Sequence, residues 1–305
     1  MFNVICMVKS KLFLYISLVA DMAIATAKFT GAAFTGSASM VSEGVHSVID
    51  ALSQVLLIWG VRSSRRTPDD SHPFGYGREL YFWSFIVSLI LFSLGGCISV
   101  YEGWERFGQP VFEGNATWNY VILAIAFVFN SISFISARRE FNKHRLAKSF
   151  WTAVIRTKDP STIIVLLGDM ADLAGLAIAF LGIFLGRLYH NQYFDGIASI
   201  AIGLILIFTS AVLIRESRSL LMGETIALEH LKVIIAMAED DPAIVRIKRH
   251  FSIYRSPDDI LLQLTAVFRP QLTTMQITNA IERIKHHIQG EYPHIRQLFI
   301  EPVKR

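Results

Sequence analysis

Apolar residues form long runs over much of the chain. Six of these runs reach the length of about 20 residues that a helix needs to cross the hydrocarbon core of a bilayer. Polar segments rich in Pro and Gly, such as RSSRRTPDDSHPFGYGREL, interrupt the pattern and indicate loops. The first run lacks a small-residue cleavage site after it, so we expect it to be retained rather than removed as a signal peptide. We predict six transmembrane helices, at residues 11–33, 38–61, 80–103, 118–137, 161–186 and 193–214.

From Glu224 onward the pattern changes to short amphipathic elements. IALEHLKVIIAMAED has helical periodicity, and AIVRIKRHFSIYRSPDDILLQLTAVF predicts two strands around a Ser-Pro-Asp-Asp turn. TTMQITNAIERIKHHIQGEYP predicts an amphipathic helix capped by threonine, and IRQLFIEPV a last strand. This αββαβ order is typical of a ferredoxin-like α+β domain. We therefore predict an α-helical membrane domain at residues 1–222 and a cytoplasmic ferredoxin-like domain at residues 223–305.

Composition and charge agree with a membrane protein. Hydrophobic residues make up 52% of the chain and charged residues 18%, whereas soluble proteins carry roughly 25% charged residues. Basic residues concentrate in segments 62–78 and 138–158, while the loops on the opposite side hold only Arg106 and Arg187. By the positive-inside rule, both termini are expected in the cytoplasm. The net charge of +4 thus reflects topology and indicates no nucleic-acid partner.

Ionisable side chains inside the second and fifth predicted helices are the candidate chemistry. Glu43, His46 and Asp50 are spaced by three and four residues and share one helix face, as do Asp169 and Asp172. Such groups cost at least about 2.5–3.5 kcal/mol each at the bilayer centre. If the two faces meet, one imidazole and several carboxylates converge, and a divalent cation would offset their mutual repulsion.

A simpler interpretation is that His46 and Asp50 only satisfy each other within a helix interface. A cation site is favoured instead because ionisable residues line one face on each of two separate helices. We also expect that no Lys or Arg lies within the membrane as a counter-ion to these acids. Cys6 and Cys97 are too few for a disulfide framework or a thiolate site. No nucleophile–base pair, phosphate loop or cofactor motif is recognisable in the sequence, so we expect neither an enzyme nor a cofactor.

These motifs resemble the cation diffusion facilitator family, in its zinc-transporter-like branch. HSVID is similar to the family's HxxxD half-site, which places His46 and Asp50 in ligand positions. HPFGYGR resembles the family's loop signature between helices 2 and 3, GDMADLAG places Asp169 in a ligand position, and LLMGE after helix 6 also fits. The longer run SHPFGYGRELYFWSF is most similar to the subgroup that contains a mitochondrial zinc-exporter-like protein.

The resemblance implies a homodimer in the lipid bilayer that exports a divalent metal from the cytoplasm by alternating access and proton antiport. Zn²⁺ is the first candidate substrate, and Mn²⁺, Fe²⁺ and Co²⁺ are alternatives. The residues also leave open a proton-coupled carrier of an organic cation and a metal-binding membrane regulator that transports nothing. A bacterial inner membrane and an organelle membrane fit the sequence equally well.

The chain departs from the family pattern in the fifth helix, where the family's histidine position is occupied by Val165. Asp172, one turn beyond Asp169, or Glu43 would then supply the missing ligand. A ligand set with one imidazole and several carboxylates is chemically harder, with more oxygen donors, than the family's usual two-His, two-Asp set. Such a set also binds Mn²⁺, Fe²⁺ and Co²⁺ beside Zn²⁺.

Two further groups of possible ligands are expected to play a smaller part. In the loop, Asp69 and His72 match residues of an accessory metal site of the family, but the second histidine position is Tyr76. The family's cytosolic zinc cluster needs ligands where this chain has apolar residues such as Leu264. We therefore expect the C-terminal histidines to be solvated surface residues; they are His230, His250, His286, His287 and His294.

Overall fold

The computed structural model describes residues 12–35, 38–108, 116–143, 149–189 and 193–304. The described residues form two compact units. The first contains the residues up to Thr67 and those from Glu79 to Arg218, and the second contains Pro68–Arg78 and the residues from Ser219 onward. The segment Pro68–Arg78, which carries the HPFGYGR motif, therefore groups with the C-terminal residues although it lies between two membrane helices in sequence.

The first unit is a bundle of helices. Among its described residues, six spans are long and apolar enough to cross a membrane, which confirms the predicted number. The third span contains two α-helices joined by a π-helical segment at Leu91–Cys97. The helices are α1 (Leu12–Thr35), α2 (Ala38–Ser63), α3 (Glu79–Ile90), α4 (Ile98–Gly108), α5 (Ala116–Lys143), the short α6 (Phe150–Arg156), α7 (Pro160–Leu188) and α8 (Tyr193–Met222).

The start of α7 is fixed by local sequence. Pro160 occupies the first turn, where its missing N–H leaves no helical hydrogen bond unmade. The hydroxyls of Ser161 and Thr162 donate to the two carboxylate oxygens of Asp159, over 2.6 and 2.8 Å. These contacts lie at the start of α7, the helix that carries Asp169 and Asp172.

Glycines let the third span and α8 approach backbone to backbone. A Cβ atom on Gly203 would lie 2.7 Å from the backbone nitrogen of Val100, and one on Gly96 would lie 3.0 Å from that of Ile207. Small residues at such positions allow close helix packing where lipid offers no hydrophobic driving force. The π-helical segment is therefore held against α8.

The second unit contains the predicted αββαβ order, which confirms the fold class. Its elements are α9 (Leu228–Glu239), β1 (Ile244–Ser256), β2 (Asp259–Phe268), α10 (Thr274–Glu291) and β3 (Ile295–Val303). The strands form one sheet in the order β1-β2-β3, with β1 and β2 antiparallel and β2 and β3 parallel. Thr273 and Gln276 form a capping box at the start of α10. The core includes the fully buried side chains of Ile234, Leu262, Leu264, Ala280 and Ile288.

The segment Pro68–Arg78 packs on β1. Gly75 adopts a φ of 78°, which favours glycine, and so turns the chain. The Phe74 ring lies 5.2 Å from the guanidinium of Arg255, which pairs with Asp259 over 3.3 Å. A Cβ atom on Gly77 would lie only 2.6 Å from the carbonyl oxygen of Arg255. The two glycines of the motif thus serve different purposes, a turn and a close approach.

We expect Gly77→Ala to loosen this packing, because the added methyl would meet a backbone oxygen that cannot move aside cheaply. Overpacking of this kind costs about 1–3 kcal/mol. Hydrogen exchange should become faster in peptides covering Ile253–Ser256. Gly290→Ala is the matched control, since a Cβ atom there has open space. Equal exchange in both variants would show that the segment does not depend on this contact.

Candidate metal site

The first half of the candidate site lies on α2. His46 and Asp50 are one turn apart, with 4.0 Å between His46 Nε2 and Asp50 Oδ2. Their side chains are 26% and 21% exposed. The predicted pairing of these two residues on one helix face is therefore present, and both groups can be reached from a cavity. Glu43 is also on α2, but its side chain lies outside the described residues.

The second half lies on α7. Asp169 is 4% exposed, and its Oδ2 accepts a hydrogen bond of 2.6 Å from the hydroxyl of Ser133 on α5. This bond orients the carboxylate. Val165, at the position where the family has histidine, is buried and lines the same small cavity as Asp169 and Asp172. The side chain that replaces the histidine thus faces the candidate site.

A cavity of about 40 Å³ brings the two halves together. Its walls include four of the predicted ligands, His46, Asp50, Asp169 and Asp172. Polar side chains continue the cavity wall toward the end of the bundle at which α2 and α8 finish; they are Ser53, Gln54, Thr209 and Ser210. The inference that two stripes on separate helices face each other agrees with this geometry.

Asp21 of α1 is a member of this group that the sequence reasoning missed. It lines the same cavity, is 6% exposed, and interacts electrostatically with Asp50, Asp169 and Asp172. Its Oδ2 is buried and has no hydrogen-bond partner among the described residues. Buried polar atoms are normally satisfied, so an unpartnered carboxylate oxygen facing a cavity points to water or an ion there. The signal was visible as a lone acid in the run LVADMAI.

The ligands are not assembled as a closed cluster. Among the described residues, no three His, Cys, Asp or Glu side chains are near enough to hold one ion together. Aspartate and histidine side chains can rotate about two dihedral angles, and those named above surround one cavity. Binding of an ion would therefore require side-chain movement within the cavity.

The π-helical segment leaves room beside His46. Gly95 belongs to this segment and lines the cavity, and a Cβ atom there would lie 3.7 Å from His46 Cε1. π-helical turns inside α-helices are frequent at functional sites. The interruption of the third span coincides with the place where it faces the imidazole.

A second and larger cavity, of about 370 Å³, shares part of its wall with the first. Asp21, His46, Asp50 and Asp172 line both. The larger cavity runs along the later half of α1 and the early half of α2, and it also contacts Lys28. Lys28 lies within the apolar span Leu12–Gly31, so the expectation that no Lys or Arg lies within the membrane was wrong.

In the loop, Asp69 is engaged by its neighbours. The Tyr76 hydroxyl donates to Asp69 Oδ2 over 2.6 Å, and the backbone N–H of His72 donates to Oδ1 over 2.7 Å. These hydrogen bonds hold the pKa of Asp69 below its usual value, and the bond from the Tyr76 hydroxyl has the largest effect. The rings of His72 and Tyr76 are 4.2 Å apart. Tyr76 therefore occupies the place from which a second histidine would act.

We expect Tyr76→His to create a metal site here, because it would place an imidazole beside Asp69 and His72. In an Asp50→Ala background, inductively coupled plasma mass spectrometry should find one additional Zn²⁺ per chain. Tyr76→Phe is the control: it removes the hydroxyl, raises the pKa of Asp69 toward its usual value, and adds no ligand. Absence of extra zinc in Tyr76→His would show that the loop cannot gather three ligands.

The histidines of the second unit are dispersed. His230, His250, His286, His287 and His294 are all exposed. His294 lies 3.7 Å from Asp258, an ion pair at the surface if the imidazole is protonated. Leu264 is fully buried in the core. The expectation that these histidines are surface residues agrees with their exposure.

Six apolar spans, a cavity lined by acids and one imidazole, and a small α+β unit are the features of a multi-pass membrane protein with polar residues buried in its bundle. A profile of the cation efflux transmembrane domain matches residues 14–222. The chain therefore belongs to the cation efflux family, the cation diffusion facilitators. This confirms the family that the sequence predicted.

Comparison with characterised proteins places it near one subgroup. It is 36% identical to the mitochondrial proton-coupled zinc antiporter SLC30A9 of Xenopus laevis over 213 residues, which are 69% of this chain and 38% of that protein. It is 24% identical to the magnetosome protein MamB of Paramagnetospirillum magneticum over 277 residues, 88% of this chain and 86% of that protein. A nickel form of a MamM CTD variant matches 26% of this chain and 99% of its own, with 20% identity and a TM-score of 0.24.

The predicted resemblance to the subgroup with the mitochondrial zinc-exporter-like protein is thereby confirmed. The chain nevertheless spans only 38% of the length of that antiporter.

Proposed function

We propose that this protein exports Zn²⁺ from the cytoplasm in exchange for protons. The observation that carries the proposal is the convergence of four carboxylates and one imidazole, from three helices, on one cavity inside an apolar bundle. Imidazole and carboxylate are among the ligands that bind zinc in proteins. The relatives named proton-coupled zinc antiporters support the choice of metal and of counter-ion.

His46, Asp50 and Asp169 are the proposed ligands, and Asp172 or Glu43 completes the shell. Asp21 joins them as a further candidate, because it lines the same cavity. Ser133 orients Asp169 by donating to it. The carboxylate-rich set also suits Mn²⁺, Fe²⁺ and Co²⁺, and these remain the alternative substrates.

Exchange for protons follows from competition at the ligands. The imidazole must be neutral and the carboxylates ionised to hold the metal, so protons that arrive from the far side displace it. In the proposed topology both termini are cytoplasmic. The larger cavity then lies in the half of the bundle away from the cytoplasm, because it follows the end of α1 and the beginning of α2.

The two cavities define a path for the metal in the proposed transport cycle. The smaller cavity extends toward the cytoplasmic ends of α2 and α8, so the metal enters from that side and leaves by the larger cavity. A homodimer is the proposed assembly, and the membrane is that of a bacterial cell or an organelle.

Metal uptake into proteoliposomes with an imposed pH gradient tests this function. Inside-acidic vesicles should accumulate Zn²⁺ faster than vesicles without a gradient, and their interior should become less acidic as the metal enters. A panel of Mn²⁺, Fe²⁺, Co²⁺ and Zn²⁺ ranks the substrates. A rate of uptake that does not depend on the pH gradient would exclude proton antiport. Metal binding without uptake of any metal would favour a metal-binding regulator that does not transport.

The regulator is the second candidate because two observations favour it. Val165 replaces the family's second imidazole, and the described His, Cys, Asp and Glu side chains form no closed set of three. A protein that binds metal in this site but does not turn over would leave the proteoliposome interior unchanged.

A further inference from the structure

Lys28 is a positive charge inside an apolar helix and outside the set of metal ligands. It lies on α1, seven residues after Asp21. Seven residues are about two helical turns, so both side chains project from one face at positions about 10 Å apart along the axis. Both line the larger cavity. The position is therefore directed at the candidate site and not at lipid alone.

The charge of Lys28 acts on the acids of the site. It interacts electrostatically with Asp21 of its own helix and with Asp172 of α7. His46 and Asp50 line the same cavity. By contrast, the described residues that line the smaller cavity include no Lys or Arg. Among the described lining residues, the larger cavity thus adds a basic residue, Lys28, and a further acid, Glu102, which the smaller cavity lacks.

We propose that Lys28 is a resident counter-charge that lowers the affinity of the site for a divalent cation and so promotes release of the metal into the larger cavity. The inference rests on the proposed function and adds to it a residue that touches no metal. Repulsion between an ammonium and a divalent ion weakens binding on the side where Lys28 lies. After release, the same ammonium reduces the repulsion among the carboxylates that remain.

The size of the effect follows from Coulomb's law. One unit charge about 10 Å from a divalent ion, at an effective dielectric constant of roughly 50, changes the dissociation constant by about tenfold. The change depends on ionic charge and not on ligand preference. It should therefore be the same for Zn²⁺ and Mn²⁺, which separates it from a change in coordination geometry.

An ordinary alternative is that Lys28 only anchors α1 by extending its ammonium toward the headgroups. Such an anchor would affect insertion or stability of the helix, but it would leave metal affinity unchanged. Affinity measured for two metals therefore distinguishes the two roles.

The experiment compares wild type, Lys28→Met and Lys28→Arg as purified full-length proteins. Competition with a metal-binding dye should show that Lys28→Met binds both Zn²⁺ and Mn²⁺ about tenfold more tightly, while Lys28→Arg, which keeps the charge, restores the weaker binding. In proteoliposomes, the maximal rate of Zn²⁺ uptake by Lys28→Met should fall several-fold, with a lower KM. Lys28→Gln is a second neutral variant in case Lys28→Met does not elute as wild type.

Unchanged or weaker binding in a neutral variant that elutes as wild type would overturn the inference. A gain for one metal alone would do the same, since it would indicate altered coordination. Asp50→Ala in the same titration separates this failure from that of the proposed function. If Asp50→Ala loses binding while the neutral variants bind as wild type, only the role of Lys28 is wrong; if Asp50→Ala binds normally, the proposed site itself is wrong.

Discussion

Asp50→Ala is expected to abolish zinc transport while the protein still inserts and assembles. Asp50 lines both cavities and lies 4.0 Å from His46, so its loss removes a ligand at the point where the cavities meet. Loss of groups that merely orient ligands costs 10–100-fold. We therefore expect the rate of Zn²⁺ uptake into proteoliposomes to fall by at least about 100-fold.

Two controls make the result specific. Asp50→Asn keeps the volume and removes the charge, and it should be as inactive as Asp50→Ala. Val48→Ala changes the same helix at a side chain that is 45% exposed, and this variant should transport normally. Wild-type uptake by Asp50→Ala in correctly eluting protein would contradict the site assignment.

Asp172→Ala is expected to weaken metal binding severely, and Val165→His added to it should restore part of the affinity. Asp172 lines both cavities on the face of α7 that carries Asp169. Val165 precedes Asp169 by four residues and lines the smaller cavity, so an imidazole placed there would reach the same space. The restored site has two imidazoles and should favour Zn²⁺ over Mn²⁺ more than wild type does.

A metal-competition titration of wild type, Asp172→Ala and the double variant measures both effects. The expected loss in Asp172→Ala is 10–100-fold, on the order of that for other groups bound near a metal. Asp172→Asn controls for the loss of volume. Normal binding and transport by Asp172→Ala would mean that Asp21, Glu43 or water completes the shell instead. The variants Asp21→Asn and Glu43→Gln would then distinguish among these.

Several features were accessible from the sequence because they depend on one element at a time. An apolar run of sufficient length predicts a membrane span, and six such runs became six spans. Periodicity within each short segment predicted the αββαβ unit. The spacing of His46 from Asp50 and of Asp169 from Asp172 placed each pair on one helix face, as the structure has it.

Lone residues were harder to interpret. Asp21 and Lys28 have no ionisable neighbour three or four positions away on α1, and both were overlooked. Their seven-residue spacing was a usable signal, since it also places them on one face. Only the cavity walls assign them a role. Glu43 stays a prediction, because its side chain lies outside the described residues.

By itself, the sequence determined the number of spans, the order of the C-terminal elements and the face on which each helical pair of ligands lies. Tertiary structure alone decided that α1, α2 and α7 bring Asp21, His46 and Asp169 to one cavity, and that Gly77 packs on Arg255. The physical reason is that periodicity depends on bonds within one segment. Which faces meet depends instead on packing between segments far apart in the chain, as at the glycines that hold the third span against α8.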